Sequence, residues 1–499
     1  MSREEKYRNI ALGLVIIIAC IMGVMNGSYL ISAMYVATLV GAVFIARDRD
    51  IYSVLYTTLL VSVIYDYVLY VPGIQSVYMF HIILGIFTLM SLYKLFTNKE
   101  VFLKLDKKVL GLYAVWFVYM CASVFWAINR KLSIKYIAIY LMMFAFIGCL
   151  MVYNINKERL NTTIRLLLYL VSLIVVIGLI EVLLGKQLPV RHYIDGFLNA
   201  LSQLHINIIQ ARPIVFSYNT NNLNAQLAIL MPICLFAIYK FNSIIAKIWF
   251  SLVSVIAFAL VIITTSRTGY VAFLFGVVIF VLYSVINIKN IGIKQMIYPI
   301  AIVAGLVLGF LYAPNMMNIK PIEGEKVENT VTLTNKLNSL HSMIEGEETS
   351  EYSSLNRMAI IKDVLGGVIS EKRYQGFGVG NVEQYIKDQG NTGSIYSPHC
   401  YPIEILGDFG IPGVVLFGIY YLYLLGYNFI LAIKKRSTMC FAMVAALIAF
   451  APASFGPSSI TYVFSYWIMI GLSVSCIQVY RNSDNEYRRT SDMKEYKLV

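Results

Sequence analysis

The sequence comprises 499 residues, of which 59% are hydrophobic and only 13% are charged. A soluble domain usually has roughly 45–50% apolar and about 25% charged residues, so this composition excludes an ordinary soluble protein and favours one embedded in lipid. The net charge of +13 does not indicate nucleic-acid binding, because the Lys and Arg residues fall in loops between apolar runs and form no basic soluble domain.

The apolar runs predict membrane-spanning helices in chain order. A spanning helix needs about 20 apolar residues, because each residue rises only ~1.5 Å across a hydrocarbon core about 30 Å thick. Several runs are short or closely paired, so we predict an all-α, polytopic integral membrane protein with about 12–14 transmembrane helices. The candidate stretches are 9–26, 28–46, 51–71, 77–97, 109–128, 134–153, 163–185, 223–240, 247–264, 268–287, 295–314, 411–433, 438–454 and 460–480.

The first run follows the basic residues Arg3, Lys6 and Arg8. A cleaved signal peptide is an alternative interpretation of such a start. No convincing small-residue cleavage site is present, however, and a second apolar run follows at once, which favours an uncleaved helix.

Basic residues in the loops predict an N-terminus on the cytoplasmic side. Basic residues of membrane proteins are usually concentrated in the cytoplasmic loops. The loop 129–135 is an exception, because it falls on the outer side and contains Arg130, Lys131 and Lys135. This topology puts three segments on the outer face, namely 186–222, the turn 265–267 and the long loop 315–410. We divide the chain into N-terminal helices (1–252), a core that includes the long loop (253–420), and C-terminal helices with a short cytoplasmic tail (421–499).

The long outer loop has two parts. Residues 320–351 are acidic and rich in Thr, Asn and Ser, which indicates a solvated stretch. Residues 354–370 have helical spacing of apolar positions, with Ser354 as a candidate cap. This helix either lies on the membrane surface or packs on the loop's own core, and the sequence leaves both open. The apolar positions are Met358, Ile361, Leu365 and Val368.

An arginine stands at the outer junction of two apolar spans, in the sequence Ser266-Arg267-Thr268-Gly269. Even mild insertion scales put Arg at ~2.5–3.5 kcal/mol at a helix centre, so its position needs an explanation. One explanation is that Arg267 extends its charge to the interface. The other is anion binding, because a guanidinium beside a helix N-terminus suits a phosphate group.

Other polar residues of the outer loops are weaker candidates. Arg357 begins the predicted loop helix, and His399 precedes the apolar run of the next span. A histidine can take up a proton near neutral pH, which suits a general base. The run Gly376–Gly380 lacks the Lys and the strand–helix context of a nucleotide site and indicates a turn that comes close to another part of the chain. No His, Cys and Asp cluster has metal-ligand spacing.

In their order and spacing these segments resemble the O-antigen ligase and polymerase family. The family's core has a Ser-Arg-(Ser/Thr)-Gly turn, an Arg-containing loop helix, a Gly-x-Gly turn, a His, then Glu or Gln and a Gly-Ile-x-Gly entry to the next span. Cys400 stands where the family often has Asn, and Pro402 where an aromatic residue is common. The matching residues are Ser266 to Gly269, Arg357, Gly376 to Gly380 with Gly378 at its centre, His399, Glu404 and Gly410 to Gly413, preceded by Arg212, Phe216, Asn222 and Pro232.

The resemblance implies a GT-C-like, inverting, metal-independent glycosyltransferase without a cofactor, in the bacterial plasma (inner) membrane. Its donor is a glycan on undecaprenyl diphosphate at the extracytoplasmic face, and its acceptor is a glycan or a lipid-linked sugar. Membrane lipid and a chain-length regulator are the other expected partners. Arg212, Arg267 and Arg357 would bind the diphosphate, and His399 would act as general base or only orient the acceptor. Supporting roles fall to Ser266, Gly269, Asn222, Gly378 and Glu404.

The motifs do not separate two chemistries within the family. A polymerase joins lipid-linked repeat units of O-antigen, capsule or exopolysaccharide, whereas a ligase moves the finished glycan to lipid A core or another final acceptor. We favour the polymerase. A polysaccharide transporter or flippase is less favoured, because it would place its substrate-binding charges at mid-membrane and have internal repeats.

Overall fold

The computed structural model describes residues 3–47, 50–196, 198–320, 352–393 and 395–495. The described chain is almost entirely helical, with one short hairpin of strands β1 (Tyr70–Val71) and β2 (Ile74–Tyr78). The helices are α1 (Arg3–Met25), α2 (Tyr29–Ala46), α3 (Ile51–Ile64), α4 (Met79–Thr97), α5 (Lys99–Lys104), α6 (Lys107–Ser123), α7 (Arg130–Tyr153), α8 (Lys157–Leu184), α9 (Gln203–Gln210), α10 (Thr220–Lys240), α11 (Ile244–Ile263), α12 (Arg267–Ile286), α13 (Ile288–Ile291), α14 (Ile297–Tyr312), α15 (Tyr352–Leu365), α16 (Val382–Gln389), α17 (Tyr401–Lys435), α18 (Thr438–Ala453) and α19 (Phe464–Glu495).

The helices confirm an all-α polytopic membrane protein. Among the described residues, ten helices are long and apolar enough to cross a membrane, and α3 and α18 are shorter apolar helices. Helices α6 and α19 coincide with the two remaining predicted stretches. Large apolar side chains on the outside of the bundle, such as Phe44 and Leu89, are exposed as expected of a lipid-facing surface.

Two of the predicted spans have different ends in the structure. Helix α3 ends at Ile64, so the stretch 51–71 is not one helix; its last residues enter the β1–β2 hairpin, where Pro72 and Gly73 form the turn. Gly73 has φ +79°, which a glycine adopts without strain. At the C-terminus, α19 continues to Glu495, so the segment predicted as a short tail is helical as far as it is described.

Helix α17 is longer than the predicted span because it begins at Tyr401 and not at 411. Gly410 interrupts it with φ 64° and ψ −159°, and Pro412 follows inside the helix. The long loop passes against this kink: Ile411 N donates to Tyr374 O at 2.8 Å, and Phe377 N donates to Gly407 O at 2.7 Å. A Cβ on Gly410 would lie 2.0 Å from Tyr374 O, so only glycine allows the approach.

The second half of the long loop has its own small core. The buried face of α15 consists of Ile360 and Val364, and Val368 continues it in the π-helix Gly366–Ser370. The predicted apolar face was wrong in part, because Met358 and Leu365 are 54% and 37% exposed. The partners of Ile360, Val364 and Val368 in this core are Phe377, Val382, Tyr385 and Ile386.

The helix of the long loop therefore packs on the loop's own core, one of the two predicted arrangements. It also begins at Tyr352, so Ser354 is not its first residue. The acidic stretch lies outside the described residues, apart from its first residue, Lys320.

Of the ten long apolar helices, α10 is the most buried, with 83% of the residues in its 18-residue apolar stretch inside the protein. It packs against α11, α12 and α18. Its first turn therefore lies at the same end of the bundle as the turn between α11 and α12. We call this end, which carries residues 265–269, the site end.

Candidate functional site

The turn at 265–269 is shaped by one unusual backbone position and one close contact with α10. Thr265 has φ 62°, a left-handed conformation that is uncommon for a β-branched residue. Ser266 then precedes α12, which begins at Arg267. A Cβ on Gly269 would lie 1.6 Å from Asn224 Oδ1, so the turn needs glycine here to pack against α10. Arg267 itself is half-buried.

Asn224 of α10 fixes the turn from the other side. Its Nδ2 donates to Thr264 Oγ1 at 2.8 Å and to Ser266 O at 3.3 Å. The side chain is buried, and its Oδ1 has no hydrogen-bond partner among the described residues. Sequence analysis did not select Asn224, although it belongs to the polar run that opens α10.

His399 is positioned by two chain segments that run antiparallel. Ser397 Oγ donates to Ser458 O, His399 Nδ1 lies 3.1 Å from Gly456 O, and Tyr401 N donates to Ser454 O at 3.2 Å. Alternate residues of 397–401 thus pair with alternate residues of 454–458, and His399 is held on both sides. Its φ of 46° is a second left-handed non-glycine position at this site.

The contact with Gly456 determines which nitrogen of His399 is basic. A carbonyl oxygen only accepts, so the bond requires the proton on Nδ1 and leaves Nε2 of the neutral ring as the acceptor. Burial of the ring lowers the pKa of His399 below its ordinary value of 6.5, and the positive charge of Arg357 lowers it further. The neutral, basic form of the ring is therefore favoured at neutral pH.

Gly456 brings His399 and the turn after α11 together. A Cβ on Gly456 would lie 3.2 Å from Thr268 Oγ1 and 3.6 Å from Ser266 Oγ, while its carbonyl bonds the imidazole. The hydroxyls of Ser266 and Thr268 are 3.3 Å apart. The structure thus gathers Ser266, Thr268 and His399 around one glycine that sequence analysis missed, since nothing local marks it.

Arg357 lies on the His399 side of the site. Its charge acts on the His399 ring and on the Cys400 thiol, so α15 brings a guanidinium close to both residues. Burial raises the pKa of Cys400, which keeps this thiol protonated.

Arg212 lies on the opposite side, in the segment between α9 and α10. Its charge and that of Arg267 both act on the Tyr270 hydroxyl, which donates to Ile262 O at 3.0 Å. Burial lowers the pKa of Arg212. The site end therefore brings the cations Arg212 and Arg267 near one tyrosine, and the cation Arg357 near His399.

The Arg212 segment is held by two side chains of the α8 end. Glu181 accepts from Leu188 N at 2.7 Å, Ile214 N at 2.9 Å and Val215 N at 2.8 Å. Gln187 Nε2 donates to Arg212 O at 2.7 Å. Val215 has φ 54°, so the carboxylate stabilises a backbone conformation that a β-branched residue otherwise avoids.

Glu404 and Asp408 lie one helical turn apart on the same face of α17, and each accepts hydrogen bonds from another segment of the chain. Glu404 accepts from Ser459 Oγ at 2.5 Å and from Thr461 Oγ1 at 3.3 Å, so it holds the segment that follows Gly456. Asp408, which sequence analysis missed, accepts from Gly380 N and Val382 N, each at 2.8 Å.

Gly378 lies in the turn that Asp408 holds and is buried against the protein. A Cβ on Gly378 would lie 2.5 Å from the Cβ of Ala127, in the connection between α6 and α7. Gly376–Gly380 thus comes close to another part of the chain, and Gly378 does not face the turn at 265–269. Its supporting role in the site stays a prediction.

Asn222 lies apart from the Gly456 cluster. It lines a cavity on another side of α10, whereas Asn224 contacts the turn at 265–269. Among the residues that the structure describes, no group of three or more His, Cys, Asp and Glu side chains could hold a metal ion.

Fold and site together define a polytopic α-helical membrane protein with a polar, cationic site at one end of its bundle. Residues 252–418 match the family described as O-antigen ligase. The teichuronic acid biosynthesis protein TuaE of Bacillus subtilis (strain 168) is 22% identical over 384 residues, which cover 76% of this chain and 73% of that protein. These matches confirm the predicted resemblance to the O-antigen ligase and polymerase family and support a role in cell-surface polysaccharide biosynthesis.

Proposed function

We propose that this chain is a glycosyltransferase that moves a glycan from a polyprenyl diphosphate, such as undecaprenyl diphosphate, to an acceptor sugar. The observation that carries the proposal is the cluster around Gly456, where His399 meets the turn that presents Arg267. A base and a cation at the end of an apolar bundle suit a donor whose lipid lies in the bilayer and whose diphosphate lies at its surface.

The proposed reaction is a displacement at the anomeric carbon of the donor. The acceptor hydroxyl oxygen bonds to this carbon while the bond from carbon to the diphosphate oxygen breaks, which inverts the anomeric configuration. The hydroxyl proton passes to Nε2 of His399, and the electron pair leaves with the diphosphate. Arg267 and Arg212 would stabilise the charge that develops on this leaving group, with Arg357 at the acceptor side.

Of the two chemistries in this family, we favour polymerisation of lipid-linked repeat units. Teichuronic acid, which the name of the B. subtilis relative specifies, is itself a polysaccharide. That similarity supports a role in making a polymer. Transfer of a finished glycan to a final acceptor, as in a ligase, is the alternative.

The test is His399→Ala in the chromosomal copy, with membrane levels of the protein confirmed and lipid-linked and surface glycans sized. We expect single repeat units to accumulate on the carrier while long chains disappear. Long chains that remain on the carrier and do not reach the final acceptor would indicate a ligase instead. His205→Ala, at an exposed histidine of α9, is the matched control.

An unchanged glycan profile in His399→Ala would remove His399 from the mechanism. Arg267→Ala would then be tested in the same way. Normal glycans in both variants would overturn the proposed reaction.

We also propose that the site end faces outward from the bacterial plasma membrane. Gln389 and Lys434 are exposed at opposite ends of the bundle and suit a labelling test. In a variant without native cysteines, a membrane-impermeant maleimide should label Gln389→Cys in intact spheroplasts. Lys434→Cys should react only after lysis, and the reverse pattern would overturn the orientation.

A further inference from the structure

A small cavity opens at the site end between α3, α10 and α19. Its volume is about 30 Å³, room for roughly two water molecules, so a whole sugar ring does not fit inside it. One wall is the segment that holds Arg212 and continues to α10. The lining residues are Val63, Ile64, Tyr67, Phe216, Ser217, Asn222, Gln226, Tyr462, Val463, Phe464 and Ser465.

The polar part of the lining is neutral. It offers the amides of Asn222 and Gln226 and the hydroxyls of Ser217 and Ser465, and none of the lining residues is charged. Ser217 Oγ donates to Gln226 Oε1 at 3.4 Å. A carboxylate or phosphate in this cavity would be buried without a cation from the lining, which is costly, whereas a hydroxyl can donate and accept here.

Ser465 offers the cavity a polar group that is unpaired among the described residues. Its side chain is 1% exposed, and its Oγ forms no hydrogen bond with any described residue. Buried hydroxyls are nearly always bonded, because an unmade bond costs the full desolvation of the group. A polar group in the cavity would supply the missing partner.

Aromatic side chains cluster around Tyr67, one of the lining residues of the cavity. Tyr67 OH donates to Tyr462 O at 3.1 Å, and the Tyr67 ring lies 5.8 Å from that of Tyr78 and 6.1 Å from that of Tyr218. All four tyrosines are half-buried and combine an apolar ring with a polar hydroxyl. Such a surface suits a sugar ring that lies at the mouth with one substituent inside.

The cavity is connected to the candidate site by short pieces of chain. Gly456, which bonds His399, and Tyr462 at the mouth belong to the segment that Glu404 holds. On α10, Asn222 lines the cavity and Asn224 bonds the turn that presents Arg267. A ring at the mouth would therefore contact chain segments that continue to the proposed reaction centre.

We infer that this cavity is a sugar subsite that takes one uncharged exocyclic hydroxymethyl group of a glycan handled by the enzyme. The inference rests on the proposed function for its choice of a sugar. The ring belongs either to the donor, next to its diphosphate, or to the acceptor. The group itself is recognised by Asn222, Gln226 and Ser465.

Saturation-transfer NMR on the protein in lipid nanodiscs tests the subsite without any transfer reaction. The probes are the methyl glycosides of glucose, galactose and mannose, with methyl xyloside, which lacks the hydroxymethyl group, and methyl glucuronide, which carries a carboxylate. We expect the strongest transfer to the C6 protons of at least one hexoside. Loss of a buried hydrogen bond is worth about a factor of ten in affinity, so xyloside should bind about tenfold more weakly.

Ser465→Val fills the cavity and should abolish the transfer to the C6 protons. The matched control is Ser473→Val on the same helix, since Ser473 is equally buried, its Oγ also lacks a described partner, and it does not line the cavity. Gln226→Leu gives a second test if Ser465→Val fails to fold. Equal C6 transfer in the wild type and a folded variant, no transfer to any hexoside, or tighter binding of the glucuronide would each overturn the inference.

A kinetic assay in membrane vesicles separates the two sources of the ring. Lipid-linked glycan extracted from the host serves as donor and the bound methyl hexoside as acceptor. A KM raised in Ser465→Val for the donor alone assigns the subsite to the donor, and one raised for the hexoside alone assigns it to the acceptor; unchanged KM values for both overturn it. Hexoside binding that persists while His399→Ala and Arg267→Ala leave the cell's glycans normal would retain the subsite and reject the proposed reaction.

Discussion

Nδ1 of His399 lies 3.1 Å from the carbonyl oxygen of Gly456, although the two residues are 57 positions apart in the chain. The same glycine packs against the hydroxyls of Ser266 and Thr268. One backbone carbonyl thus sets the orientation of the imidazole relative to the turn that presents Arg267. This relationship makes the two nitrogens of the ring separately testable.

Substitution of His399 by Asn or Gln separates the two nitrogens. The Asn side-chain nitrogen can replace Nδ1 and keep the bond to Gly456, but Asn has no base in place of Nε2. We expect His399→Asn to be inserted normally and to lose about 10²–10⁴-fold in turnover, the usual contribution of a general base. The measurement is transfer rate in membrane vesicles. Normal kinetics of His399→Gln at alkaline pH would show that the residue only orients the acceptor.

The pH dependence of transfer should report the environment of His399. Its pKa lies below 6.5 because of burial and the nearby charge of Arg357, so the base stays neutral, and kcat/KM should fall only when the pH drops below that value. Arg357→Gln removes a positive charge that opposes protonation. The acidic limb should therefore move to higher pH.

Arg357→Lys is the control for this shift, because it keeps the positive charge. Its acidic limb should stay close to that of the wild type, whatever its KM. A limb that does not move in Arg357→Gln would mean that the charge does not act on the catalytic group.

Gly269→Ala should disrupt the turn that presents Arg267. The new Cβ would lie 1.6 Å from Asn224 Oδ1, and overpacking of this kind usually costs about 1–3 kcal/mol. We expect a loss of roughly 5- to 150-fold in glycan product, because the distortion falls on the turn that presents Arg267 and ~1.4 kcal/mol corresponds to a factor of ten. Gly418→Ala, where nothing lies within 4 Å of the added carbon, should leave the product unchanged. Wild-type output from Gly269→Ala would contradict the packing of the turn.

Glu181→Gln should loosen the segment of Arg212. The carboxylate accepts from three backbone N–H groups, whereas Gln offers one acceptor oxygen, so at least one buried donor loses its partner at a cost of about 1–3 kcal/mol. Hydrogen exchange at residues 212–217 should accelerate, and the KM for the donor should rise. Glu158→Gln on the same helix, at an exposed position, is the control. Unchanged exchange at 212–217 would rule out this holding role.

Asp408→Asn should release the glycine-rich turn of the long loop. One carboxylate oxygen accepts from Gly380 N and the other from Val382 N, and the amide nitrogen of Asn would face one of these donors. We expect faster exchange of Gly380 and Val382, at a cost of about 1–3 kcal/mol. Asp388→Asn, at an exposed residue bonded to Gln384, should have no such effect. Identical exchange of Gly380 and Val382 in the two variants would contradict the role of Asp408 in holding this turn.

Much of the fold could be predicted, because the bilayer imposes a length and an apolar composition on each span. Each of the fourteen predicted stretches coincides with a helix, with errors where local chemistry intervenes, as at Pro72 and Gly73. The loop helix was harder to predict. Met358, Ile361 and Leu365 have the same helical spacing as Ile360 and Val364, and only the tertiary partners decide which face is buried.

The candidate site could be predicted only in part for the same reason. The turn Ser266–Gly269 is a local pattern, and its arginine is conspicuous between two apolar runs. Gly456 and Asn224 carry no such mark, because their roles depend on contacts across the fold, to His399 in one case and to Thr264 in the other. Asp408 was indicated by the sequence itself, because an acidic residue one helical turn after Glu404 is conspicuous in an apolar run, but sequence analysis did not select it.

The antiparallel pairing of 397–401 with 454–458 limits how this region can change in length. His399 meets Gly456 only while Ser397 and Tyr401 keep their own partners on either side. An insertion of one residue between Ser397 and His399 would move the imidazole away from Gly456 and bring a neighbouring side chain to that position. An insertion before Ser397 would leave these three contacts in place, whereas one inside 397–401 or 454–458 would shift one segment against the other and displace the imidazole from Gly456.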